Sequence, residues 1–130
     1  MKKIEKILFQ LAGISIVGLI SLFIVTMAII RKQVHDKCDW AIDLYREDCA
    51  TSLINVVEHD EFSFRERNDA VWVLGQLADK KALPVLKKYY TGNIPYHESL
   101  DETLSQYELE KAIRWCEKGN ATSWMYRMCR

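Results

Sequence analysis

The sequence predicts an all-α protein in which one transmembrane helix precedes a small helical domain. Three observations predict it. Residues 7–30 contain no charged side chain. The chain beyond them places apolar residues at helical spacing with no competing strand alternation. Residues 67–86 read as two short amphipathic helices joined by a tight turn. The overall charge hides this division, because 18 basic residues offset 18 acidic ones. Beyond residue 30 the balance is 15 basic against 17 acidic, a mildly acidic domain without the basic surface that binding to nucleic acid calls for. About 100 residues suffice for one small domain and are too few for two. The expected organisation is an anchor over residues 1–32 and a helical domain over residues 33–130.

The first element is the apolar run. Its 24 residues would form a helix roughly 36 Å long, enough to cross a hydrocarbon core of roughly 30 Å with some tilt. A cleaved signal peptide also follows a lysine-rich start, and Thr26-Met27-Ala28 loosely resembles its cleavage pattern. The run is longer than the roughly 7–15 residues of a signal core and ends at Arg31-Lys32, which favours an uncleaved anchor. Lys2, Lys3 and Lys6 before the run nearly balance Arg31, Lys32 and Lys37 after it, so flanking charge does not set the orientation.

Cysteine is the better guide to orientation. Cys38, Cys49, Cys116 and Cys129 all follow the apolar run. An even number in a small domain points to an oxidising, extracytoplasmic compartment and two disulfides. Spacing favours the local pairs Cys38–Cys49 and Cys116–Cys129, although four cysteines allow three connectivities and buried free thiols in a cytosolic domain are the alternative. Eleven residues of unbroken helix would hold Cys38 and Cys49 about 16 Å apart, so a bridge requires the helix to break, and Arg46-Glu47-Asp48 is where it is expected to do so.

A first helical pair is expected over residues 38–58, its second helix running from Cys49 to Glu58. Asp60-Glu61-Phe62-Ser63 reads as a connection, with Ser63 and Glu66 at capping-box spacing. An amphipathic helix should run from Phe64 to Leu77, burying Ala70, Val71, Val73, Leu74 and Leu77. Asp79 restarts the chain into a helix whose first turn tolerates Pro84. Such a short connection should fold the two helices antiparallel. A last helix is expected over residues 103–118, with Tyr107, Leu109, Ala112, Ile113 and Cys116 inward and Gly119 as its C-cap. The connection at residues 91–102 is longer than usual, which makes it a candidate contact surface or a solvated linker.

The stretch holding Arg67, Ala70, Leu74, Gly75, Leu77, Asp79, Ala82, Pro84 and Leu86 resembles the HEAT-like repeat of phycobilisome lyase relatives, over about 25 residues of strong match. The resemblance implies a short α-solenoid of helical hairpins in which Arg67 and Asp79 stabilise turns and stacking. A solenoid this short would serve as a non-enzymatic scaffold for an unknown protein partner. Trp72, taken as exposed, and the loop bearing Tyr96 and His97 are the candidate contact residues.

The alternative is a membrane-tethered metal-dependent or bilin-lyase-related enzyme. HEAT-like deoxyhypusine hydroxylases hold iron with repeated His-Glu pairs, whereas His97-Glu98 and His59-Asp60-Glu61 fall at loop positions without a matching repeat. No Cys-x-x-Cys, phosphate-binding glycine motif or positioned catalytic triad occurs, so no catalytic, cofactor-binding or metal-binding residue is assigned. Asn120-Ala121-Thr122 is a formal glycosylation acceptor.

Overall fold

A computed structural model describes residues 2–129, with side chains described as far as Tyr126. The chain divides into two units, Met1–Gln33 and Val34–Arg130. Among the described residues the regular structure is helical: α1 (Lys2–Tyr45), α2 (Cys49–Glu58), α3 (Phe64–Leu77), α4 (Leu83–Tyr89) and α5 (Gln106–Lys118), with 3₁₀ turns at Lys80–Ala82 and Ser123–Cys129.

In the first unit, α1 is long and apolar enough to cross a membrane: an 18-residue window has a mean hydropathy of 2.6 and none of it is buried by protein. Phe9, Ile14, Leu19 and Phe23 are all more than half exposed, an arrangement that is costly in water and favourable in lipid. The hydroxyls of Ser15 and Thr26 donate to the carbonyls of Leu11 at 3.0 Å and Leu22 at 2.8 Å. Both side chains thereby satisfy their donors without water.

In the second unit, the end of α1 buries Val34, Cys38 and Ala41, spaced to lie on one helical face. Arg46 then takes a left-handed backbone with φ 58°, and Asp48 caps α2 by accepting from the Thr51 N–H at 3.2 Å. The break falls across Arg46–Asp48 as the disulfide geometry requires, and Cys38 and Cys49 are bonded with their Cα atoms 5.0 Å apart. α3 has the boundaries expected of it. Ser63 and Glu66 form a reciprocal capping box, and Ala78 closes the helix in a left-handed conformation, its N–H reaching the Leu74 and Gly75 carbonyls.

The core draws on every helix of this unit, with Leu53, Val56, Val71, Leu74, Leu86 and Leu109 fully buried. Each such side chain contributes about 1.5–3 kcal/mol relative to exposure. α3 lies centrally and packs on α2 and α5. Gly75 makes the second contact possible, because a Cβ there would stand 3.0 Å from the Ala112 Cα and 3.1 Å from the Trp115 ring. The expected antiparallel packing of α3 on α4 is not the principal one: α4 packs instead on α5 and α2. The left-handed Ala78 and the 3₁₀ turn redirect the chain before α4 begins. Tyr107 was expected inward but is 52% exposed. It lies two residues before buried Leu109, about 200° around the helix from it.

Candidate functional site

The connection from Thr91 to Ser105 is an ordered surface loop, tied to α3 and α5 along its length. At its start, the side chain of Gln106 accepts from the Thr91 N–H at 2.8 Å and donates to the Tyr89 carbonyl at 3.3 Å. Further along, Glu98 accepts from the Gln106 N–H at 2.6 Å and from the Ser105 hydroxyl. A loop carboxylate thus satisfies a donor in the first turn of α5, where negative charge is favoured. Ser105 itself caps α5, accepting from the Glu108 N–H.

Asn68 holds the end of the loop. Only 5% exposed, it donates from Nδ2 to the carbonyls of Leu100 at 3.0 Å and Thr103 at 2.8 Å, and its Oδ1 accepts from the Ser105 N–H at 2.8 Å. These bonds satisfy the buried amide and fix three points of the loop backbone. Outside them, Arg65 grips Asp101 in a two-pronged ion pair at 2.7 and 3.0 Å. The hydrogen bonds from Arg65 hold the Asp101 carboxyl below its usual pKa.

The fixed loop and the first turn of α5 enclose an open groove of about 400 Å³, lined by Ile94, Pro95, Tyr96, Leu100 and Tyr107 together with Glu98 and Glu108. Its apolar lining is outward: Ile94 is 41%, Leu100 47% and Tyr107 52% exposed, and Tyr96 is fully exposed. The Tyr96 and His97 rings stack with centroids 6.5 Å apart. Trp72, expected to be exposed, is partly buried and does not line this groove. The structure thus brings together Tyr96 and His97 but not Trp72. Asn68 carried no functional assignment from sequence. Its signal was a poor helix former in the interior of a helix, three and seven residues before the buried Val71 and Gly75.

The repeat-motif residues have structural surroundings. Arg67, 5% exposed, donates to the Val57 carbonyl at 2.9 Å and to Asp60 at 2.8 Å, bracing the turn between α2 and α3. Its guanidinium lies 5.5 Å from the rings of both Phe64 and Tyr89. Asp79 caps the 3₁₀ turn by accepting from the Lys81 N–H. Ala70, Leu74, Leu77, Ala82 and Leu86 are buried, whereas Pro84 is exposed in the first turn of α4.

Cys116 is a free, buried thiol that donates to the Leu74 carbonyl at 3.6 Å. The expected Cys116–Cys129 bridge is therefore not part of this structure, and the Cys129 side chain lies outside the described residues. Burial, with Asp79 and Glu117 adding to it, pushes the Cys116 pKa up to about 12, so it remains a thiol rather than a nucleophilic thiolate. His59 contacts the Tyr45 hydroxyl at 3.2 Å and Glu61 at 3.4 Å. Among the described residues, no group of three or more His, Cys, Asp and Glu side chains is placed to hold a metal ion.

No protein-family model, curated protein or solved structure matches this chain.

Proposed function

We propose that the chain is a single-pass membrane protein whose helical domain, a short HEAT-like solenoid on the extracytoplasmic side, docks a protein partner without catalysing a reaction. The carrying observation is the groove beside the Thr91–Ser105 loop: apolar side chains turned to solvent on a backbone fixed by Asn68, Glu98 and Arg65. A preorganised apolar surface loses less ordering entropy when a partner binds. Exposed clusters of this kind mark interaction sites more often than they serve the stability of a free domain.

Three further observations support the reading. The exposed apolar flank of α1 suits lipid. The Cys38–Cys49 bridge suits an oxidising compartment. The turn-bracing bonds of Arg67 and Asp79 agree with the roles that the HEAT-like resemblance implies. Extraction of the full chain from its native membrane in mild detergent, followed by size separation and mass spectrometry, tests the function. Stoichiometric co-elution with another protein is expected, and a chain that elutes alone at every detergent strength contradicts the proposal.

A further inference from the structure

We infer that the groove takes a basic, apolar segment of the partner, one in which Arg or Lys stands beside Leu, Ile or an aromatic residue. This inference rests on the docking function proposed above and specifies the chemistry of its occupant. The first support is charge. Two carboxylates, Glu98 and Glu108, line the groove, and no Lys or Arg does. The chain segment that builds it, residues 91–110, carries five acidic residues and no Lys or Arg. Lys111 and Arg65 compensate Glu108 and Asp101, and the remaining carboxylates leave the surface favourable to a cation.

The second support is the Glu98 carboxylate, which lines the groove and accepts hydrogen bonds from Ser105 and Gln106. It has no cation beside it among the described residues, whereas Lys111 already pairs with Glu108 at 2.7 Å. An acidic segment would add repulsion here, whereas a basic one brings both charge and donors. The third is the combination of walls. Tyr96, fully exposed, offers an aromatic face to a guanidinium or ammonium, while Tyr107, whose ring already carries the Lys111 ammonium at 5.1 Å, adds apolar area for its neighbours. An apolar segment lacking a cation would leave the Glu98 carboxylate partly desolvated with no cation beside it.

The test is photo-crosslinking of the full chain in its native membrane. Benzoylphenylalanine replaces either the fully exposed Tyr96 or, as a second position, Trp124, which is 66% exposed. Crosslinked peptides are then sequenced by mass spectrometry. The expected result is a protein peptide attached at position 96 with an Arg or Lys within a few residues of the crosslinked apolar site. Leu100→Asp should lower its yield at least fivefold and Glu108→Gln about threefold, with Ile94→Asp as an independent apolar variant and helix content checked for each. Attachment to lipid alone, to an acidic segment, or with a yield that these variants leave unchanged overturns the inference. Protein crosslinks at position 124 only overturn this inference while leaving the docking function standing. Absence of protein crosslinks at both positions overturns the two together.

Discussion

Asn68 on α3 holds the backbone of Ser105, 37 residues away, through a 2.8 Å hydrogen bond from the Ser105 N–H to its Oδ1. The same side chain donates to the carbonyls of Leu100 and Thr103, so one buried amide joins the central helix, the loop and the start of α5. Asn68→Ala would leave a buried N–H without its partner and is expected to cost about 2–3 kcal/mol. Denaturant unfolding of the full chain in micelles measures this cost. Amide exchange should accelerate first at Ser105, ahead of the α2 core.

Gly75 is predicted to tolerate no side chain. Its missing Cβ would approach the Ala112 backbone to 3.0 Å, and because a Cα is the obstacle, no rotamer change relieves it. Gly75→Ala should destabilise the domain by about 1–3 kcal/mol through overpacking, against the roughly 1 kcal/mol that alanine gains from helix propensity. Thermal melts followed by circular dichroism distinguish the outcomes: a raised melting temperature would contradict the close α3–α5 contact.

The disulfide should stabilise measurably. Closing a loop of 11 residues between Cys38 and Cys49 is worth about 2–3 kcal/mol in chain entropy. The double variant Cys38→Ala, Cys49→Ala should therefore unfold at lower denaturant than the oxidised chain, and a reductant should shift only the latter.

Acid should weaken the start of α3. Hydrogen bonds from Ser63, through its hydroxyl and its N–H, hold the Glu66 pKa below its usual 4.5. A carboxylate with a depressed folded pKa contributes its full stability above the unfolded value and loses it as pH falls through the folded one. The expected loss therefore begins near pH 4.5 and grows below it. Glu66→Gln retains an acceptor for the capping box but cannot titrate, so its stability should fall less than that of the parent between pH 5 and pH 3. Equal slopes would contradict this assignment.

Cys116 should resist alkylation at pH 8 while the chain is folded and react on unfolding, because its pKa lies near 12 and the group is buried. Mass spectrometry after timed exposure to iodoacetamide checks this. Rapid modification of the folded chain would contradict its placement against Leu74.

Features encoded locally were legible in the sequence. Asp48, Ser63 with Glu66, Asp79 and Gly119 mark helix ends through hydrogen bonds within a few residues, and the structure places helix ends there. The Cys38–Cys49 bridge was legible for the same reason, since its reach dictated the break at Arg46–Asp48. What escaped depends on partners distant in sequence. Asn68 meets residues 32 to 37 positions away, and nothing in its neighbourhood announces them. Trp72 looks like an exposed aromatic until its surroundings are known, and Cys116 looks like half of a local pair until its helical register turns it toward Leu74. At the groove, Tyr96 and His97 were identifiable from the long, aromatic loop, but the roles of Glu98 and Asn68 in fixing that loop were not.

Peptide mapping of the full chain from native membranes tests the account most directly, with free thiols alkylated at the moment of cell lysis and the membranes then washed in alkaline carbonate. The chain is expected to stay in the membrane pellet and to yield the linked Cys38–Cys49 peptide, with Cys116 alkylated only after denaturation. A chain released by the wash, or one recovered with both Cys38 and Cys49 alkylated, would contradict a docking domain anchored on the oxidising side of a membrane.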